Sequence, residues 1–266
     1  MDLELRGKVA IVTGGSRGIG KAVARQLAGE GVDVALVARN TEALATSAAE
    51  LAAETGRQFL TVVADTGQDE SVRAMVGKVV EHFGRVDILV NAAAQPGGQS
   101  TPPTLSEITD ELFWSDVNVK VMGYLRCARE VAPPMIRQGW GRIISISGLA
   151  ARSTGSTIGS MRNVAVVALT KNLADELGPK GINCTVVHPG TTRTEKTAGV
   201  VSARARAQGS SEAEIERVLA EANSVRRIID AREIAYVVTF LASPKSGAIN
   251  GDVIAAGGGV GRAIYY

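Results

Sequence analysis

A short apolar run from Val9 to Thr13 leads straight into Gly14-Gly15-Ser16-Arg17-Gly18-Ile19-Gly20 and then into a helical pattern. No other feature narrows the possible folds as much. Glycine accepts backbone conformations closed to other residues and lets a second chain approach closely. Glycines at 14, 18 and 20, placed between a strand and a helix, permit a sharp turn. They also leave the first N–H groups of the helix facing outward. Those unpaired donors, with the helix dipole behind them, suit an anion such as a pyrophosphate. A glycine pattern alone carries little weight. The strand before it and the helix after it are the context that a dinucleotide fingerprint requires.

The same alternation runs on through the chain. Strands are expected at 9–13, 32–38, 59–64, 86–91, 141–147, 182–188 and 253–255. Helices are expected at 18–30, 41–55, 69–83, 111–138, 160–177 and 231–241. In the first helix Ile19, Val23 and Leu27 recur every four residues on one face. Thr41 is the expected N-cap of the second helix and Gly56 its stop. Pro133 and Pro134 should kink or break the long helix near its end. Apolar strands joined by helical crossovers predict an α/β fold with a doubly wound parallel sheet covered on both faces.

No linker rich in proline, glycine or serine divides the 266 residues, so a single domain is expected. The segment 191–229 is polar and without a strand pattern, apart from a charged helical run at 211–221. It follows the sixth strand, at the carboxyl end of the sheet, and reads as a partly mobile lid or substrate loop. A surface excursion without function is the plainer alternative.

Charge excludes some partners. The 29 basic and 27 acidic side chains nearly cancel, which argues against a nucleic-acid surface. No run of 18 apolar residues suggests a membrane span, and no signal peptide is evident. Cys127 and Cys184 lie in apolar periodic segments and read as buried thiols of a reducing, cytoplasmic compartment. No cysteine–histidine spacing resembles a metal site.

The end of the second strand should meet the adenosine ribose. A site for NAD(H) usually places a carboxylate there. This chain has Val37-Ala38-Arg39-Asn40, with Arg17 near the same corner. Two cations and no carboxylate favour NADP(H), because a guanidinium forks onto a phosphate. Arg39 has a second reading as a solvated charge that tolerates NAD(H). Asp65, in Ala64-Asp65-Thr66, is placed to accept from the adenine amino group, or else forms a turn or cap of its own. Asn91-Ala92-Ala93-Ala94 follows the fourth strand, and its small side chains leave room beside a cofactor.

Taken together, these stretches resemble the short-chain dehydrogenase/reductase family. The matching pieces are TGGSRGIG at 13–20, Asp65, NAAA at 91–94, Asn118 in VNVKVMG, GRIISIS at 141–147 and HPGTTRT at 188–194. The resemblance covers essentially the whole chain. It implies a Rossmann-like sheet of about seven strands and a dimer or tetramer built through helices 111–138 and 160–177. It implies that Gly14, Ser16, Arg17, Gly18, Ile19, Gly20, Arg39, Asp65, Thr66, Asn91, Ala92 and Ala93 contact the cofactor. Pro189, Gly190, Thr192 and Thr194 would line its carboxamide side.

The family's proton-transfer group is a tyrosine and a lysine four residues apart, helped by a serine and an asparagine. Asn118 matches the asparagine. The serine position falls on Gly148, with Ser147 just before it. The tyrosine and lysine positions hold Gly159 and Asn163. Glycine has no proton to give, and an amide is neutral at ordinary pH. Ser147 and Asn118 are then the remaining catalytic candidates, and Asn163 keeps only a cofactor contact. Ser145 alternates to the same side of the strand as Ser147, deeper in. Ser156, Thr157 and Ser160 lie in the loop beside the empty position, Ser160 most simply as a helix N-cap. Arg162 reads as an interface or surface charge, with an anionic ligand as the other option. His188 reads as a hydrogen-bonded structural histidine, with proton transfer as the other option.

Two functions are chiefly expected, with a different reaction in the same pocket, such as a lyase or isomerase step, as a third option. One is an NADP(H)-dependent oxidoreductase acting on a small-molecule carbonyl or alcohol with altered proton transfer. The other is a catalytically inactive NADP(H)-binding sensor, or a partner of an active relative. Residues 95–105 and the segment 191–229 would shape the substrate pocket.

Overall fold

Strand β1 (Val9–Thr13) is apolar throughout, and its side chains alternate between two cores. Ala10 and Val12 face one layer, Val9 and Ile11 the other. A computed structural model describes residues 1–94 and 102–261 of the chain. After β1 come helix α1 (Gly18–Gly29), β2 (Asp33–Ala38), α2 (Thr41–Thr55), β3 (Phe59–Val63), α3 (Asp69–Phe83) and β4 (Ile88–Asn91). Next are α4 (Asp110–Val117), α5 (Gly123–Gln138), β5 (Gly141–Ile146), α6 (Thr157–Leu177) and β6 (Ile182–Pro189). The chain continues through β7 (Thr192–Arg193), α7 (Thr197–Gln208), α8 (Glu212–Glu221), β8 (Ile229–Asp230), α9 (Ala231–Ala242) and β9 (Val253–Ala256).

Seven strands form one parallel sheet in the order β3-β2-β1-β4-β5-β6-β9. The order reverses at β1, where Thr13 pairs with Val37 on one side and Asn91 on the other. On one face α1, α2 and α9 bury Val23, Leu27, Leu44, Ile234 and Val238. On the other, α3, α5 and α6 bury Met75, Val79, Val131, Met135 and Leu177. The doubly wound parallel sheet expected from the sequence is the one observed. Both cysteines are buried, and burial pushes each thiol up to about 12. Among the described residues, no helix is long and apolar enough to cross a membrane.

Several local expectations need correction. The helix expected over 111–138 is interrupted at Asn118–Met122, a π turn, and not at the prolines. Helix α5 runs through Pro133 and Pro134 and stops at Gly139, whose φ is 68°. Val131 and Met135, on either side of the pair, are fully buried. Those two burials, about 1.5–3 kcal/mol each, work against a cost of about 3 kcal/mol for each of the two prolines. Asn40, not Thr41, caps α2, its side chain accepting from Ala43 N–H at 2.7 Å. Ser156, not Ser160, caps α6; the Ser160 hydroxyl donates to Ser153 O at 2.9 Å. The segment 191–229 does contain strands, since β7 pairs with β8 in a small parallel ladder. Its helices α7 and α8 share an apolar contact of Val201, Ala205 and Ile215. The part of the expected substrate region at 95–101 lies outside the described residues.

Candidate active site

A cleft of about 1170 Å³ opens at the carboxyl ends of β1, β2, β4, β5 and β6. Its floor is the glycine turn. Gly14 has φ 68°, and a Cβ there would lie 2.8 Å from Ala92 O. At Gly20 a Cβ would lie 2.3 Å from Gly14 O, so α1 can begin this close to the turn only without a side chain. The Gly15 N–H donates to Val37 O, and the Ser47 hydroxyl donates to Ser16 O at 2.6 Å, tying the turn to β2 and α2. Thr13 pins the other side. Its Oγ1 accepts from the Ala92 and Ala93 N–H groups at 3.1 and 3.2 Å. The Gly18 N–H, at the start of α1, donates to the carboxylate of Glu195. An anionic oxygen thus sits on the donor that the turn presents.

Arg17 and Arg39 are exposed and line the same corner of the cleft. Asp65 also lines it, with Oδ1 accepting from Gly67 N–H at 2.9 Å in a local turn. Thr66 is buried and its carbonyl accepts from Arg126. Asn91 is buried with neither side-chain polar atom partnered among the described residues. Pro189, Gly190, Thr192 and Thr194 form the facing wall. Thr192 Oγ1 donates to Gly190 O, and Thr194 N–H donates to Thr197 Oγ1. The glycine cradle, the anion-accepting N–H and the paired cations fit a dinucleotide carrying an additional phosphate.

Deeper in, Ser147 Oγ donates toward Asn163 O and Oδ1 at 3.1 and 3.2 Å. Gly159 and Asn163 lie side by side on α6 against the cleft. The next charge is Lys120, from the π turn. It is buried, and its Nζ donates to Ser147 O at 3.0 Å. Burial above all, and then the Arg162 charge, pull its ammonium down to about 7, against the opposing pull of Asp116. Arg162 is itself buried and ion-paired with Asp116. His188 Nδ1 accepts from Gly148 N–H at 3.2 Å. Burial, and then the charges of Arg152 and Lys120, lower its pKa to about 4, so the ring is neutral near pH 7.

A family model described as enoyl-(acyl carrier protein) reductase matches residues 14–261. The chain belongs to the short-chain dehydrogenase/reductase family. It is 35% identical over 252 residues to the short-chain reductase protein NovJ of Streptomyces niveus, covering 94% of this chain and 93% of that one. It superposes with a TM-score of 0.93 on L-sorbose reductase from Gluconobacter frateurii, solved with NADPH and L-sorbose. Identity there is 30%, covering 99% of this chain and 100% of that one. A variant of actinorhodin polyketide ketoreductase, solved with NADPH, has a TM-score of 0.88 and 31% identity, with 96% and 98% covered.

Within this short-chain dehydrogenase/reductase frame, the structure brings Gly14, Ser16, Arg17, Gly18, Ile19, Gly20, Arg39, Asp65 and Thr66 to one cleft. Ala92, Ala93, Ser147, Asn163 and the four residues of the β6 exit join them. Asn118 goes elsewhere: its Nδ2 donates to Gly67 O at 3.2 Å. Tyr124 is no substitute for the missing phenol, because it is fully buried, donates to Ile146 O and is raised in pKa by burial. Sequence reasoning missed Thr13, Lys120 and Glu195. Thr13 had a signal, as a hydroxyl on the last residue of the first strand. Lys120 had one too, as the lone charge in the stretch VNVKVMG, flanked on both sides by valine. Arg162 is not a surface charge, since its guanidinium is buried against Asp116.

Proposed function

We propose that this chain is an NADP(H)-dependent oxidoreductase that interconverts a carbonyl and an alcohol through an altered proton-transfer group. The observation that carries the reading is the corner at the end of β2, where Arg17 and Arg39 line the cleft and no carboxylate follows the strand. A 2′-phosphate is the ligand that suits two guanidinium groups there. NADPH in two solved family members supports the same choice. Gly14 to Gly20 would hold the pyrophosphate, Asp65 the adenine, and Thr192 and Thr194 the carboxamide. NADP(H), when bound, supplies or accepts a hydride at the substrate carbon. Ser147 would steady the substrate oxygen.

Gly159 and Asn163 favour a second reading, in which the chain binds NADP(H) without turnover and acts as a sensor or as a partner of an active relative. Nicotinamide absorbance, followed over a panel of ketones, sugars and alcohols at saturating cofactor, separates the two. Turnover of any member above a heat-killed control supports the enzyme. Tight NADPH binding without turnover supports the second reading.

A homodimer or homotetramer through α4, α5 and α6 belongs to the same proposal. Leu112, Trp114, Met161 and Val164 are exposed apolar side chains on α4 and α6, elements that pack together. Sedimentation of the wild type beside Trp114→Glu tests it; a monomeric wild type would end the idea.

A further inference from the structure

Lys120 lines the cleft, and the reading above leaves it without a role. A lysine is rarely buried unless paired, yet this one is 4% exposed. Its Nζ donates to a backbone carbonyl, Ser147 O, and not to a carboxylate. Asp116 of α4, the carboxylate whose charge acts on Lys120, is engaged by Arg162 of α6. His188 of β6, neutral near pH 7, supplies no counter-charge. Lys120 therefore faces one cation, one already paired anion and one neutral ring.

Position matters as much as charge. Lys120 lines the same cleft as Ser147, Gly148, Gly159, Arg162 and Asn163. It reaches that wall from the π turn at Asn118–Met122, which shifts the helix register between α4 and α5. An ammonium carries three donors, and the Ser147 carbonyl takes one. Gly159 contributes no side chain to the neighbouring wall, and Ser156 Oγ lies over its backbone, accepting the Gly159 N–H.

We propose that Lys120 passes the proton between solvent and the substrate oxygen. This rests on the reading of the cleft as a carbonyl/alcohol site. In reduction, hydride arrives at the carbonyl carbon and the C=O π pair moves onto oxygen. An O–H bond then forms as one Nζ–H bond breaks, and the electrons of that bond stay on nitrogen as a lone pair. The free amine regains a proton from water. Oxidation runs the same exchange backward, with the amine as base. A group held near pH 7 is charged and neutral in comparable amounts, which lets it serve both directions.

The test uses the full chain with NADPH and its best carbonyl substrate. Wild type, Lys120→Met and Lys120→Arg are compared for kcat across pH, after NADPH affinity shows that each is folded. Lys120→Arg keeps the cation and a donor for Ser147 O but does not deprotonate near neutrality. Both variants should lose about a hundredfold or more in kcat, and the inflection near pH 7 should vanish. Small primary amines should partly restore Lys120→Ala. Independently of turnover, trace labelling of wild-type amines with cyanate, mapped by mass spectrometry, should titrate Lys120 with a midpoint of about 7. Turnover in the wild type with an unchanged kcat profile in Lys120→Arg overturns the role of Lys120 alone. A labelling midpoint at the ordinary lysine value does the same, even if neither variant folds. Absence of any turnover in the wild type overturns both this role and the functional reading beneath it.

Discussion

Glu195 and Gly18, 177 positions apart, meet at the start of α1, where the carboxylate accepts the Gly18 N–H at 2.9 Å through Oε1 and 3.2 Å through Oε2. A helix N-terminus favours negative charge. The Glu195 side chain holds the donor that the proposed pyrophosphate needs, so the two compete. Glu195→Ala should tighten NADPH binding by about threefold to tenfold, read by fluorescence titration. Weaker binding in that variant would mean that Glu195 assists the cofactor.

Arg39 decides the nucleotide preference on this reading. Arg39→Ala should raise the Kd for NADPH about tenfold to a hundredfold, while that for NADH stays within a factor of about two. Parallel titrations with the two nucleotides check this. An equal loss for both would assign Arg39 to general electrostatics.

Gly20 is tested by bulk. A methyl group at this position would lie 2.3 Å from Gly14 O, so either the turn or the helix must shift. Gly20→Ala should weaken NADPH binding by at least about tenfold and lower stability by about 1–3 kcal/mol. At Gly29, also in α1, an added methyl group would meet nothing within 4 Å, so Gly29→Ala serves as the control with unchanged binding. Calorimetry and denaturant melts read both effects.

His188 carries a pH dependence whose sign follows from its lowered pKa. Its Nδ1 must be unprotonated to accept the Gly148 N–H. From pH 6.5 down to about 4 the unfolded chain binds a proton that the folded chain refuses. Stability therefore falls with pH across that window, by up to about 1.4 kcal/mol per pH unit. His188→Asn keeps an acceptor but does not titrate, so its melts should show a shallower slope. A wild type and variant that differ by a constant amount across the window would contradict this.

The sheet and the cradle were legible because their causes are local. Apolar runs of strand length, helical spacing and the glycines at 14, 18 and 20 act within a few residues of themselves. The prolines at 133 and 134 misled because their cost is local but the burial of Val131 and Met135 that works against it comes from packing against the sheet. The segment 191–229 hid its two short strands because each is only two residues long and pairs across more than thirty positions.

What the amino-acid order determined by itself was a doubly wound scaffold with a glycine turn for a dinucleotide, and the loss of the usual phenol and ammonium at 159 and 163. Where the remaining charges gather was decided only by the tertiary structure. Lys120 reaches Ser147 because a π turn redirects its helix, and Glu195 reaches Gly18 because the chain folds back over the cleft. A cation's surroundings, and with them its readiness to give up a proton, depend on which distant groups exclude water from it.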